Sequence, residues 1–114
     1  MKQIPSEETL TCEFKSDRRC LPDRDLIETA AGMANAEGGK IYLGVEDNGE
    51  VTGLHHNHEN LDGLAALIAN RTHPPLTVHV ESLFIDNQHI AVIHVRKNPV
   101  PVATSEGVLK RRRL

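Results

Sequence analysis

The sequence has no tryptophan, one tyrosine and two phenylalanines in 114 residues, so aromatics make up 3% of it. A core built from this chain must be leucine, isoleucine, valine and alanine. Aromatic platforms for stacking single-stranded bases are excluded. No run of about 18 apolar residues occurs, which excludes a membrane-spanning helix and, with it, a membrane partner. The opening MKQIPSEETL carries no apolar stretch of the secretory kind, so a cytoplasmic location is expected. Two cysteines, Cys12 and Cys20, are too few for a disulfide framework and are expected as buried, reduced thiols. Positive charge is not in excess either: the net charge is −3 and the pI about 6.1. A protein that coats nucleic acid by bulk charge is thereby excluded. At this length one domain, spanning residues 1–114, is expected.

The charge that is present is unevenly placed. Lys110, Arg111, Arg112 and Arg113 form a dense basic cluster, and Arg18 with Arg19 a smaller one. The sequence stops just after the larger cluster, which leads us to expect the N-terminal part of a longer protein.

Local patterns give an order of elements. TCEFK reads as a strand with Phe14 on one face and Glu13 and Lys15 on the other. Asp23 is the expected N-cap of a helix whose apolar stripe is Leu26, Ile27, Ala30, Ala31 and Ala34. Gly38 and Gly39 are expected to stop that helix. KIYLGVE is a strand, DNGE a tight turn and VTGL a return strand. Asn60 is expected to cap a second helix from Leu61 to about Arg71, stopped by HPP. Leu76–Ile85 and His89–Val95 form a hairpin, and GVLKRRR supplies a last strand. The order β-α-β-β-α-β-β-β implies an α+β fold: a mixed, mostly antiparallel sheet carrying two helices.

The segment EGGK invites comparison with a phosphate-binding loop. Such a loop runs from strand to helix and has a hydroxyl residue after its lysine. Here glycines follow a helix and precede a strand, and Ile41 follows Lys40. ATP binding by this loop is excluded on that order. The glycines are expected to end a helix and to let backbones approach closely.

Three motifs occur in order: Glu13-Phe14-Lys15, then MANAEGGKIYLGVEDNGEVTGL at Met33 to Leu54, then PVP ahead of a basic strand. Together they resemble the Schlafen/AlbA-like domain over about Glu7 to Arg112. The resemblance implies the DNA-binding module found at the N-terminus of bacterial transcriptional regulators and of helicase-related, divergent AAA-type proteins. It also implies a second activity, because the related animal domains are endoribonucleases that use three acidic residues. By that resemblance Glu8, Glu13 and Asp47 would be the acids, holding magnesium or manganese.

Three carboxylates of this kind can bind a hard cation and activate water on a phosphodiester. On one continuous strand, Glu8 and Glu13 would face opposite ways, so a shared site requires a bend at Glu8. The plainer account of Glu13 and Lys15 is a surface ion pair worth under about 1 kcal/mol. His55, His56 and His58 are read as a solvated loop, since no cysteine pair lies near them in sequence. The leading expectation is a nucleic-acid-binding module acting on duplex DNA, with RNA as the other target. Its contacts would be Lys15, Arg18, Arg19, Lys110, Arg111, Arg112 and Arg113, and it needs no cofactor. The alternatives are the metal-dependent ribonuclease lobe and a protein-interaction or homodimerisation domain. The domain alone is expected to bind rather than to catalyse.

Overall fold

In the computed structural model, which describes residues 4–113, Cys12–Lys15 (β1) leads through Asp23–Ala34 (α1) into Gly39–Leu43 (β2). Leu64–Asn70 (α2) and Thr72–His73 (β3) follow. Val78–Ile85 (β4) and Gln88–Val95 (β5) make the hairpin, and Ala103–Thr104 (β6) comes last. The main sheet has the order β1-β2-β5-β4. β1 and β2 are parallel, as a crossover through α1 requires, and the other pairings are antiparallel. β3 and β6 pair separately.

The alternation of side chains divides the sheet into two faces. Ile41, Leu43, Ala91, Ile93 and Val95 join the apolar stripe of α1 and Leu64 and Ile68 of α2 in the larger core. Cys12, Phe14, Tyr42, Ile90 and Val92 point the other way and pack with Ile4 and Val45. β5 is buried on both faces, which explains its continuous run Ile90 to Ile93. Glu13 and Lys15 alternate with Cys12 and Phe14, so they rise from the edge strand β1 on the face that carries the helices.

The two glycines serve close backbone approach. A Cβ on Gly38 (φ +74°) would lie 2.7 Å from Lys97 N, and one on Gly39 (φ +136°) would overlap Thr11 O. The Gly38 N–H returns to Met33 O at 2.8 Å, after α1 has already ended at Ala34. Lys40 N then donates to Thr11 O at 2.9 Å, opening the β1–β2 pairing.

Several boundaries differ from the sequence reading. Pro22, not Asp23, is the N-cap of α1, and no side chain caps it. Asn60 Oδ1 accepts from Asp62 N at 3.0 Å and so closes a turn ahead of α2, which begins at Leu64. The expected return strand is reduced to one bridge, Val45 to Val51. α2 ends at Asn70, ahead of HPP, and Thr72 and His73 pair with β6. Lys110 to Arg113 form no strand and lie extended along α1, where Arg112 N donates to Gly32 O at 3.0 Å. No helix among the described residues is long and apolar enough to cross a membrane.

Candidate functional site

The residues before β1 turn back on themselves. Thr9 N donates to Cys12 O at 2.9 Å and Cys12 N to Thr9 O at 3.2 Å. This tight turn supplies the bend that a shared site requires, and it lays Glu8 beside Glu13. The two carboxyls are hydrogen-bonded to each other. Burial pushes the Glu8 carboxyl up to about 7, and the hydrogen bond and charge of Glu13, then the charge of Asp47, push the same way. Arg112 opposes this shift without cancelling it. Glu8 therefore keeps its proton up to near neutral pH, as a partly buried carboxyl beside another acid does.

Asp47 stands in the turn after β2, near enough for its charge to act on Glu8. Gly49 N donates to Glu46 O and Glu46 N to Glu50 O, both at 2.8 Å. A Cβ on Gly49 would lie 3.3 Å from Ser6 O, so the turn rests directly on the segment that carries Glu8. Asp47 itself is exposed. Two acids five positions apart and a third from beyond β2 are thus brought to the edge of the sheet, with their donor atoms more widely spaced than in a closed cage. Their oxygen chemistry suits a hard cation such as magnesium or manganese.

Two cations hold Glu13, one on each oxygen. Lys15 Nζ lies 3.4 Å from Oε2, and Arg112 Nη1 donates to Oε1 at 2.6 Å. Arg112 also donates to Leu10 O at 2.8 Å, Thr9 O at 2.6 Å and Cys12 O at 3.1 Å. Its side chain is only 13% exposed. Of the four C-terminal cations, Arg112 is thus turned inward to lock the tight turn and has little left to offer a phosphate. Arg18 stands at the Asp47 turn, 3.8 Å from Glu46 and 4.0 Å from Glu50. Arg19 is exposed.

Asn35, just past α1, fixes the C-terminal segment. Its Nδ2 donates to Val102 O at 2.8 Å and Lys110 O at 2.6 Å, and its Oδ1 accepts from Val102 N at 2.7 Å. Beside it opens a cleft of about 620 Å³, walled by Pro99 and Pro101 and by Lys97, Lys110, Arg111 and Arg113. Arg111 Nη1 donates to Asn35 O at 2.8 Å, which leaves most of its guanidinium donors for other partners. Lys97 pairs with Glu37 at 3.5 Å and Lys110 with Glu28 at 3.6 Å. The first pair is exposed and the second partly so, each worth at most about 1 kcal/mol, so an anion can displace them. The extended backbone sends Arg111 and Arg113 to the cleft and Arg112 between them to the acids.

One cluster escaped the sequence reading. Asp17 is fully buried, and its carboxylate accepts from Leu21 N at 2.7 Å and His55 N at 2.8 Å. His58 Nδ1 lies 2.8 Å from Asp17 Oδ2, and the His58 side chain is 11% exposed. His58 is therefore not a solvated loop residue: it pins its turn to the loop after β1. Cys20 is half-buried beside it, while Cys12 is buried in the smaller core as expected. A carboxylate and an imidazole 41 positions apart give no local signal.

The sequence profile of the family described as Schlafen, AlbA_2 matches residues 8–113. No curated protein sequence matches. Among solved structures, the chain is similar to the DIP2311 protein from Corynebacterium diphtheriae, with a TM-score of 0.76 and 22% identity. That alignment covers 92% of this chain and 21% of the Corynebacterium protein, so the chain spans about a fifth of that relative. It is also similar to the N-terminal domain of a Nitrosomonas europaea protein described as related to the ATP-dependent DNA helicase RecG. There the TM-score is 0.69 and the identity 20%, over 94% of this chain and 80% of that domain. At these identities the likeness is one of fold.

Proposed function

Since the chain belongs to the Schlafen, AlbA_2 family, we propose that it is a nucleic-acid-binding module that grips the phosphate backbone of duplex DNA, within a bacterial transcriptional regulator. The observation that carries this reading is the cleft in which Lys97, Lys110, Arg111 and Arg113 stand together on a chain of net negative charge. Local concentration of cations, rather than total charge, is what phosphate contact needs. The proline walls and the lack of any aromatic side chain in the lining of the cleft favour a duplex over a single strand. The DNA helicase relation of the Nitrosomonas europaea protein agrees with this reading. Binding of a fluorescent duplex at low salt tests it. Replacing Arg111 and Arg113 by Gln is expected to weaken binding at least about tenfold, at roughly 1 kcal/mol or more per lost charged contact. Unchanged affinity would remove the cleft from the account.

A second reading, a metal-dependent ribonuclease lobe, has its own observation: the convergence of Glu8, Glu13 and Asp47. A hard cation held by these three would supply Lewis-acid stabilisation and an activated water. Glu8, titrating near neutral pH, can hold or release a proton beside a phosphodiester. Arg112 and Lys15 keep Glu13 in place. Manganese-dependent cleavage of a structured RNA, lost in Glu13→Gln, is the expected outcome on this reading. An equally active Glu13→Gln would reject it.

A further inference from the structure

Outside both the acidic site and the cleft, Asp17, Cys20 and His58 place one donor atom each within 4.8 Å of one another. Asp17 and Cys20 lie on the loop after β1, and His58 ends the single turn of 3-10 helix His56–His58. A carboxylate only accepts hydrogen bonds, so the Nδ1 that faces Asp17 carries the ring hydrogen. In the neutral imidazole Nε2 then keeps its lone pair, and this atom faces Cys20 Sγ at 3.9 Å. Sulfur and nitrogen donors on one tetrahedral zinc ion stand about 3.6 Å apart, given the usual bond lengths. The two side chains need to close by only a few tenths of an ångström.

The surroundings of this pair are built rather than loose. Asp17 is fixed by two backbone N–H groups and cannot turn away from the ring. A carboxylate behind a histidine sets its orientation and strengthens it as a ligand. Cys20 sits at φ 57°, a conformation that favours glycine, yet a thiol stands there. Asn57 Nδ2 donates to Sγ at 3.8 Å, orienting the sulfur from a third side. One thiol and one imidazole are borderline-soft donors. They select zinc over the magnesium or manganese that the three-carboxylate site suits.

We propose that Cys20 Sγ and His58 Nε2 bind a thiophilic divalent cation of the zinc type, with Asp17 as the positioning residue for His58 and the remaining coordination positions open to water or a small anion. The ion would tie the loop after β1 to the turn that precedes α2. The test is titration of the metal-free protein with cobalt(II) and then zinc, read by thiolate-to-cobalt absorption and by thermal melting. One ion per chain is expected, with the thiolate band and a rise in Tm of roughly 5–10 °C at a hundredfold excess over Kd. Cys20→Ser and His58→Gln are expected to lose both signals. Asp17→Asn is expected to keep the band but to bind about 10–100-fold more weakly. Cys12→Ser, at the buried thiol of the smaller core, is expected to keep the band and the affinity. Absence of a thiolate band at about 100 micromolar cobalt, or full zinc affinity in either Cys20→Ser or His58→Gln, would overturn the proposal.

Discussion

Glu8 is the residue whose chemistry departs furthest from its sequence. Its carboxyl titrates at about 7 in the folded protein against a usual 4.5, because it is buried against Glu13 and near Asp47. Folded protein holds this proton more tightly than unfolded protein, so the contribution to stability is full below pH 4.5 and fades as pH rises through about 7. Glu46 and Glu81 are shifted downward, Glu46 mainly by its hydrogen bond from Thr52 and Glu81 by that from His94, and they act in the opposite direction. The difference between wild type and Glu8→Gln isolates Glu8 from them. Thermal melting across pH 4 to 8 is expected to show wild type losing stability relative to Glu8→Gln between about pH 4.5 and 7. A flat difference curve would mean that the folded protein does not hold the Glu8 proton more tightly than the unfolded chain. A cation bound among the three carboxylates would pull the same step to lower pH, which gives the metal reading a signature separate from cleavage.

Among the elements, the C-terminal segment does the most to organise both regions, and two side chains attach it. Asn35 makes three hydrogen bonds to segments 67 and 75 positions away. Asn35→Ala leaves those groups unpaired at a half-buried junction and is expected to cost about 2 kcal/mol, measured by chemical denaturation. Arg112 closes the Thr9–Cys12 turn, so Arg112→Met is expected to speed hydrogen exchange at the Thr9 and Cys12 amides while amides of β5 stay protected. Equal protection in both would show that the turn stands without the clamp. These attachments also mark how far the sequence could be read. α1, β1, β2 and the β4–β5 hairpin were legible because buried residues recur with helix or strand periodicity within each segment. The bend at Glu8 was legible as a requirement, since two acids five apart on a strand cannot share a face. The start of α2 was misplaced because Asn60 closes a turn with the same chemistry that caps a helix. The inward turn of Arg112, the junction at Asn35 and the buried Asp17–His58 pair join residues tens of positions apart. Composition and periodicity carry no trace of them.

On the scale of the whole molecule, the fold separates opposite charges across one extended strip of chain. Arg112 faces the acids, while Arg111 and Arg113 face the cleft with Lys97 and Lys110. A protein of net charge −3 can in this way present a locally positive surface. If that surface holds duplex DNA, affinity must fall steeply with salt, because each neutralised phosphate releases condensed counterions. The most direct measurement is the salt dependence of duplex binding by fluorescence anisotropy, compared between wild type and the Arg111→Gln, Arg113→Gln double variant. For wild type, log K is expected to fall against log salt with a slope of about −3 to −4, and removal of both arginines to make it shallower by about 2. Binding that is independent of salt, or the same slope in both proteins, would contradict the cleft as the nucleic-acid surface.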